Sequence, residues 1–266
     1  MSSVDVMSQA EPLLIHRNGR VITIELNRPD AMNALDVRLL KMLGKKLKEI
    51  SIDDSVDIVV LKGAGKAFSA GGDIKMMTQM NDEKEFYPVM DAITDLAVAL
   101  YCMPKLTLCA VHGAAAGLGL SLALGTDHII ADKQAKIAMN FIGIGLIPDG
   151  GAHFHLSQRI GDIRAKELIW EGKVMTAEEA HRKELIQQLA DGNLEEAVEE
   201  KIASWLKSPI KAMIRTKKIL AERNRPLLQK MLELEKHGQS KMRKTEDHLE
   251  GITAFVEKRK PAFKGM

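Results

Sequence analysis

Short apolar strands that run straight into turns of Gly and Ala, with amphipathic helices between them, do most to limit how this chain can fold. Val56–Lys62 (VDIVVLK) runs into Gly63-Ala64-Gly65, and Leu106–Val111 (LTLCAV) runs into a Gly/Ala turn at Gly113. Strands this apolar are buried ones, covered by helices. Upstream, Leu13–Ile15 and Val21–Leu26 (VITIEL) flank His16–Arg20, where Asn18-Gly19 signals a hairpin. Asn27–Asp30 breaks the second strand. Leu35, Leu39, Leu40, Leu43, Leu47 and Ile50 then set a helical period over Ala31–Ile50. Further helices are read at 83–101, from the Gly/Ala turn to about Leu124, and at 156–160, 164–170, 176–183 and 193–203. Further strands are read at His128–Ala131 and Lys136–Met139. The recurring order is strand, strand, helix, with long helices at the end. The fold class is therefore α/β, with a core over residues 11–200 and a helical extension over 201–266. Residues 1–10 read as a loose tail.

A chain of 266 residues, 45% apolar and 28% charged, can bury such a core and is not disordered in composition. Aromatic residues are 4% of the chain, so base-stacking nucleic-acid modules are not expected. No apolar run reaches the ~18 residues of a membrane helix. The first ten residues, MSSVDVMSQA, lack the basic start and apolar centre of a signal peptide. The closing FKGM is not a peroxisomal address of the SKL type. A cytoplasmic location is the expectation. Cys102 and Cys109 lie in apolar stretches without metal-type spacing and read as buried, inert thiols. The net charge of +2 is unevenly spread. Residues 201–266 hold 17 Lys and Arg against 7 Asp and Glu, a net +10, which leaves −8 for the rest. A basic quarter of this kind meets an anionic partner such as phosphates, or forms solvated helix faces.

Three segments can carry chemistry. In Lys66–Lys75 (KAFSAGGDIK), Ala70-Gly71-Gly72 removes bulk where a ligand could approach the backbone, and Asp73 can cap a following helix. An ordinary strand-to-helix turn has the same composition. The glycine spacing is not that of a P-loop. In Ala110–Leu122 (AVHGAAAGLGLSL), Gly117-Leu118-Gly119 opens a helix whose first N–H groups are free to donate. Gly117 and Gly119 are followed by Ser121 and Leu122, so the dinucleotide-binding fingerprint fails. In Phe141–His155 (FIGIGLIPDGGAHFH), Asp149 sits between Pro148 and Gly150 in an apolar stretch. A carboxylate there acquires a raised pKa and suits proton transfer, whereas Pro-Asp-Gly in an exposed turn would be inert. His153 and His155 have no third ligand in view, so no metal is expected, and His112 reads as a packing residue.

In this order and spacing, the chain resembles the enoyl-CoA hydratase/isomerase (crotonase) superfamily over nearly its whole length. The matching pieces are Glu25–Leu35 (ELNRPDAMNAL), Lys66–Met77 (KAFSAGGDIKMM), Ala110–Ala131 (AVHGAAAGLGLSLALGTDHIIA), Gly145–Gly151 (GLIPDGG) and Ala254–Lys264 (AFVEKRKPAFK). The resemblance implies a crotonase-like spiral of ββα units and a C-terminal helical trimerisation region, assembled as a homotrimer or a dimer of trimers. It implies that the N–H groups of Gly72 and Leu118 polarise a thioester carbonyl. It also implies that coenzyme A lies along Ala31, Met32 and Ala70–Asp73, beside Ile74 and Lys75. Lys258 would reach the CoA phosphates, with Phe255 beside the same site. No cofactor is implied, because coenzyme A is part of the acyl-CoA substrate.

Hydratases of this superfamily carry two glutamates that hold a water. Their positions here are Ser121 and Phe141, and neither side chain is an acid or base; Phe141 would still line the substrate site. Asp149 stands where some isomerases of the superfamily carry their single acid. The reading is therefore an enoyl-CoA isomerase with Asp149 as acid/base. The alternatives are a 2-enoyl-CoA hydratase, a ring-epoxide acyl-CoA isomerase and a non-catalytic CoA- or RNA-binding homologue. Low aromatic content argues against RNA.

Overall fold

The computed structural model describes residues 11–79 and 82–266. The tail read at residues 1–10 lies outside them. The Asn18-Gly19 signal does close a hairpin. β1 (Leu13–Asn18) pairs antiparallel with β2 (Val21–Leu26), Asn18 opposite Val21. From β2 onward the sheet is parallel, through β3 (Ile58–Gly63), β4 (Leu106–Val111), β6 (His128–Ala131) and β9 (Gln188–Leu189). A second sheet joins β5 (Ala114–Ala116), β7 (Lys136–Ala138) and β8 (Val174–Thr176). Residues 114–116, expected to be part of a turn, are thus a strand. The chain leaves the first sheet at Val111, turns at Gly113 and enters the second.

Helices cover both faces of the first sheet. α1 (Val37–Ser51) buries Leu39, Leu40, Leu43, Leu47 and Ile50, the period read from sequence. It starts six residues later than expected. Pro29–Ala31 make a single 3-10 turn, and Met32 (φ 49°) and Asn33 (φ 53°) are left-handed, which ends helical propagation. Asp36 then caps α1 by accepting the Leu39 N–H at 2.8 Å. The short α2 is Ile74–Gln79. α3 (Glu83–Tyr101) packs on α1 through Val89, Ile93, Leu96 and Leu100. Each side chain of this size stabilises the fold by about 1.5–3 kcal/mol when fully buried. Cys109 is buried as expected, but Cys102 is only half-buried, because it follows the last residue of α3.

α4 (Leu118–Leu124) is buried at every position. α5 (Ala152–Glu171) is broken at Gly161, whose φ of 74° and ψ of 160° leave the helical region, so two helices abut there. α6 (Ala177–Arg182) opens with a capping box between Thr176 and Glu179. The C-terminal helices are α7 (Leu194–Lys207), α8 (Ile210–Met242) and α9 (Glu246–Glu257). α8 is fastened along its length. Lys211 meets Asp57 at 2.9 Å, Lys217 meets Asp127 at 2.7 Å and Lys236 meets Asp91 at 2.5 Å. Its Leu228 and Leu232 pack on Phe154 and Ala97. Among the described residues no helix is long and apolar enough to cross a membrane.

Candidate active site

The first Gly-rich segment is held between two neighbours by backbone bonds. On one side Ala70 N–H donates to Met32 O (2.9 Å), Leu35 N–H to Gly71 O (2.7 Å) and Asp73 N–H to Leu35 O (3.2 Å). On the other side Ser69 N–H donates to Ala114 O (2.9 Å) and Ala116 N–H to Ser69 O (3.0 Å). In this pattern Leu35 takes the groups that flank Gly72, so the Gly72 N–H is left over. The Leu118 N–H begins α4 and has no carbonyl one turn earlier. Neither N–H donates to a partner among the described residues.

The segments approach so closely that side chains would not fit. A Cβ on Gly71 (φ +100°) would lie 2.7 Å from Ala116 O and 3.4 Å from Leu118 N. A Cβ on Gly119 would lie 2.7 Å from Ser69 Cβ. These glycines let the two segments that carry the unpaired Gly72 and Leu118 N–H groups approach this closely.

Arg28 braces the same region. Its Nη2 meets Asp73 Oδ2 at 2.9 Å, and its Nη1 meets Asp36 Oδ2 at 3.2 Å and Ala34 O at 2.5 Å. Buried Asn33 donates to Ala64 O and Ala67 O and accepts the Arg28 N–H. Ala31, Met32, Ala70, Asp73, Ile74 and Lys75 are therefore neighbours, with Met32 and Lys75 exposed. Asp73 accepts the Lys75 N–H at 3.0 Å, the cap expected of it.

Gly150, next to Asp149 in the chain, packs against α4. A Cβ on Gly150 (φ +68°) would lie 2.6 Å from Leu118 Cδ1 and 3.1 Å from Ser121 Cβ. Asp149 is 5% exposed, which excludes the inert surface turn. Its Oδ2 accepts from Gln239 Nε2 at 3.0 Å, and its Oδ1 has no partner among the described residues. Burial pushes the carboxyl up to about 7, the charge of Glu235 pushes the same way, and the Gln239 bond opposes both. Ser121 is buried, and its Oγ donates to Gly117 O at 3.3 Å. The buried Phe141 ring packs against Gly117. A small, largely apolar cavity lies beside these groups, walled by Leu35, Ile93, Leu96, Leu118, Leu122 and His155.

The other candidates stand apart. Phe255 and Lys258 are exposed at the end of α9, where Lys258 is left-handed, and among the described residues no hydrogen bond or ion pair joins them to the segments above. His112 meets Gly65 O at 3.0 Å, a packing role. His155 is buried and held neutral, its pKa pushed down to about 3 by burial. His153 bonds Glu235. Among the described residues no group of three His, Cys, Asp or Glu could hold a metal.

Glu235 and Gln239 were missed in the sequence. Glu235 accepts Gly151 N–H (2.8 Å), His153 N–H (3.1 Å) and His153 Nδ1 (2.8 Å), closing the start of α5. A signal existed. Leu228, Leu232, Glu235 and Gln239 fall on one face of α8, and all four are buried. Polar residues that continue an apolar stripe mark a site they must serve.

A family model described as enoyl-CoA hydratase/isomerase matches residues 16–266. YhaR of Bacillus subtilis, named for the same hydratase/isomerase group, is 50% identical over 246 residues, 92% of this chain and 96% of its own. The 1,2-epoxyphenylacetyl-CoA isomerase of Escherichia coli is 32% identical over 266 residues, 96% of this chain and 99% of its own. The crystal structure of an enoyl-CoA hydratase from Mycobacterium avium subsp. paratuberculosis superposes with a TM-score of 0.86 at 30% identity, covering 96% of this chain and 99% of that one.

Proposed function

The chain belongs to the enoyl-CoA hydratase/isomerase family, and on that premise we propose that it is an enoyl-CoA isomerase with Asp149 as its one acid/base. The observation that carries this reading is the free oxygen of Asp149. Of the two buried carboxylates near the Gly-rich segments, Glu235 has donors on both oxygens, whereas Asp149 keeps Oδ1 without one. A carboxyl near pKa 7 can both take and return a proton at neutral pH.

The steps follow from the parts. A 3-enoyl-CoA places its thioester oxygen against the N–H groups of Gly72 and Leu118. The Asp149 carboxylate removes a proton from C2, and the electron pair spreads into a dienolate whose oxygen is held by the two donors. Asp149 returns the proton at C4, and the product is a 2-enoyl-CoA. Hydration would need a second group to hold water, and Ser121 and Phe141 supply none. Coenzyme A lies along Ala31, Met32 and Ala70–Asp73, beside Ile74 and Lys75. Exposed Ile219, Leu220 and Leu227 on α8 and Leu249, Phe255 and Val256 on α9 support packing against further copies, as a trimer or a dimer of trimers. In such an assembly Phe255 and Lys258 reach the coenzyme.

A screen of 2-enoyl, 3-enoyl and ring-epoxide CoA esters by ultraviolet absorbance and mass spectrometry tests the proposal. The 3-enoyl ester is expected to turn over fastest, and Asp149→Asn to slow it by about 10³-fold. Water added to crotonyl-CoA faster than any double bond moves would overturn it.

A further inference from the structure

Two buried side-chain atoms lack a hydrogen-bond partner among the described residues, Asp149 Oδ1 and Gln239 Oε1. Both are acceptors, and their side chains are already joined through Gln239 Nε2 and Asp149 Oδ2 at 3.0 Å. The carboxamide cannot be turned over. Its Nε2 also donates to Ile147 O at 2.8 Å, so a flip would aim Oε1 at two acceptors. Buried acceptors without donors are costly, and two in one site call for a common donor. A single proton on Asp149 Oδ1 is such a donor. A carboxylic acid and a primary amide that share one N–H···O bond can close a second, O–H···O, between their remaining oxygens.

We propose that Gln239 is the positioning residue for the transferable proton: Nε2–H holds Asp149 Oδ2, and Oε1 accepts the Oδ1–H of the neutral acid. The proposal rests on the reading of Asp149 as acid/base and names the group that serves it. When the carboxylate takes the C2 proton, the new O–H forms on Oδ1 and is steadied by Oε1. When C4 takes the proton, Oε1 gives up that bond and Oδ2 keeps its own. Nothing is oxidised, and the electron pair stays with the substrate. The charged group that acts on Asp149 is Glu235 on α8, and His153 and His155 follow Asp149 in the chain, on α5. α4 contributes only uncharged Leu118 and Ser121. Glu235 is occupied by Gly151 and His153, and His155 is neutral, so Gln239 is the group that bonds the carboxyl directly.

The test compares Gln239→Met and Gln239→Glu with Asp149→Asn in the full chain. Gln239→Met keeps the shape and removes both bonds. KM is expected to stay within about twofold, while kcat falls about tenfold and the acid limb of the kcat/KM profile moves down by about one pH unit, because the acid loses two bonds and the carboxylate only one. The Asp149 carboxyl carbon, followed by ¹³C NMR in the free enzyme and assigned by its loss in Asp149→Asn, should shift its midpoint by the same amount without turnover. Gln239→Glu, nearly isosteric, sets two carboxyls to share one proton and should instead raise the limb. An unmoved limb and an unmoved carbon midpoint in either variant that folds would overturn the role of Gln239. So would a wild-type Asp149 that titrates below pH 5. If instead Asp149→Asn retains full activity, it is the reading of Asp149 as acid/base that fails.

Discussion

Replacing Asp149 with Asn should make the protein more stable while it abolishes the chemistry, and the stabilisation should grow with pH. The carboxyl has an ordinary pKa of 3.8 when unfolded and about 7 when folded. Between these values the folded chain holds a proton that the unfolded chain has released, so stability falls as pH rises from about 4 to about 7. At 1.36 kcal/mol per unit, the loss is about 1.7 kcal/mol at pH 5 and about 4 kcal/mol at pH 8. Asn never ionises and escapes both. Its amide can accept from Gln239 Nε2 and donate to Gln239 Oε1, so both orphaned acceptors gain partners. Relative to wild type, Asp149→Asn should therefore gain about 2.5 kcal/mol on going from pH 5 to pH 8. Urea unfolding of both proteins at both pH values, followed by the fluorescence of Trp170 and Trp205, measures the difference. Other titrating groups cancel in the comparison. Equal stability differences at the two pH values would refute the reasoning, because the buried carboxyl would then carry no pH-dependent cost.

Two further outcomes follow from the same geometry. Gly119→Ala should lower kcat by about 10²-fold or more with CoA-ester binding largely kept, since its Cβ would press on Ser69 and spread the two N–H groups; Gly143→Ala, with open space at its Cβ, is the control, and steady-state kinetics on both variants decide it. Glu235→Gln removes the negative charge that helps raise Asp149, so the acid limb of kcat/KM should move to lower pH, and a limb that stays or rises would count against that cause.

The local parts of this site were legible in the sequence because glycine and strand pattern report backbone geometry directly. The turns at Gly71-Gly72 and Gly117–Gly119 and the periods of α1 and α3 stand where the residues put them. What the sequence missed was set by contacts distant in the chain. The start of α1 depends on left-handed Met32 and Asn33, and Asn33 is held by carbonyls of Ala64 and Ala67. Ala114–Ala116 became a strand only because β7 and Ser69 lie beside it. The state of Asp149 could not be read from Pro-Asp-Gly, since burial decides between an exposed turn carboxylate and one whose pKa is raised.

The same long-range logic explains the basic quarter of the chain. Lys211, Lys217, Lys236 and Lys244 pair with Asp57, Asp127, Asp91 and Glu83, all in the acidic part that precedes them. The partition of +10 against −8 thus acts in good part within the molecule. Most of these pairs are exposed on one side, and each contributes at most about 1 kcal/mol, so strength alone does not explain four of them. Placement does. The three on α8 itself, at Lys211, Lys217 and Lys236, fix the rotation of a 33-residue helix about its axis, and that rotation decides whether Glu235 and Gln239 face Asp149 or solvent. One residue of slip would turn both side chains by about 100° and leave the carboxyl buried with no partner. The charged surface of α8 and the protonation of Asp149 are therefore parts of one device, with the helix carrying the first to the second.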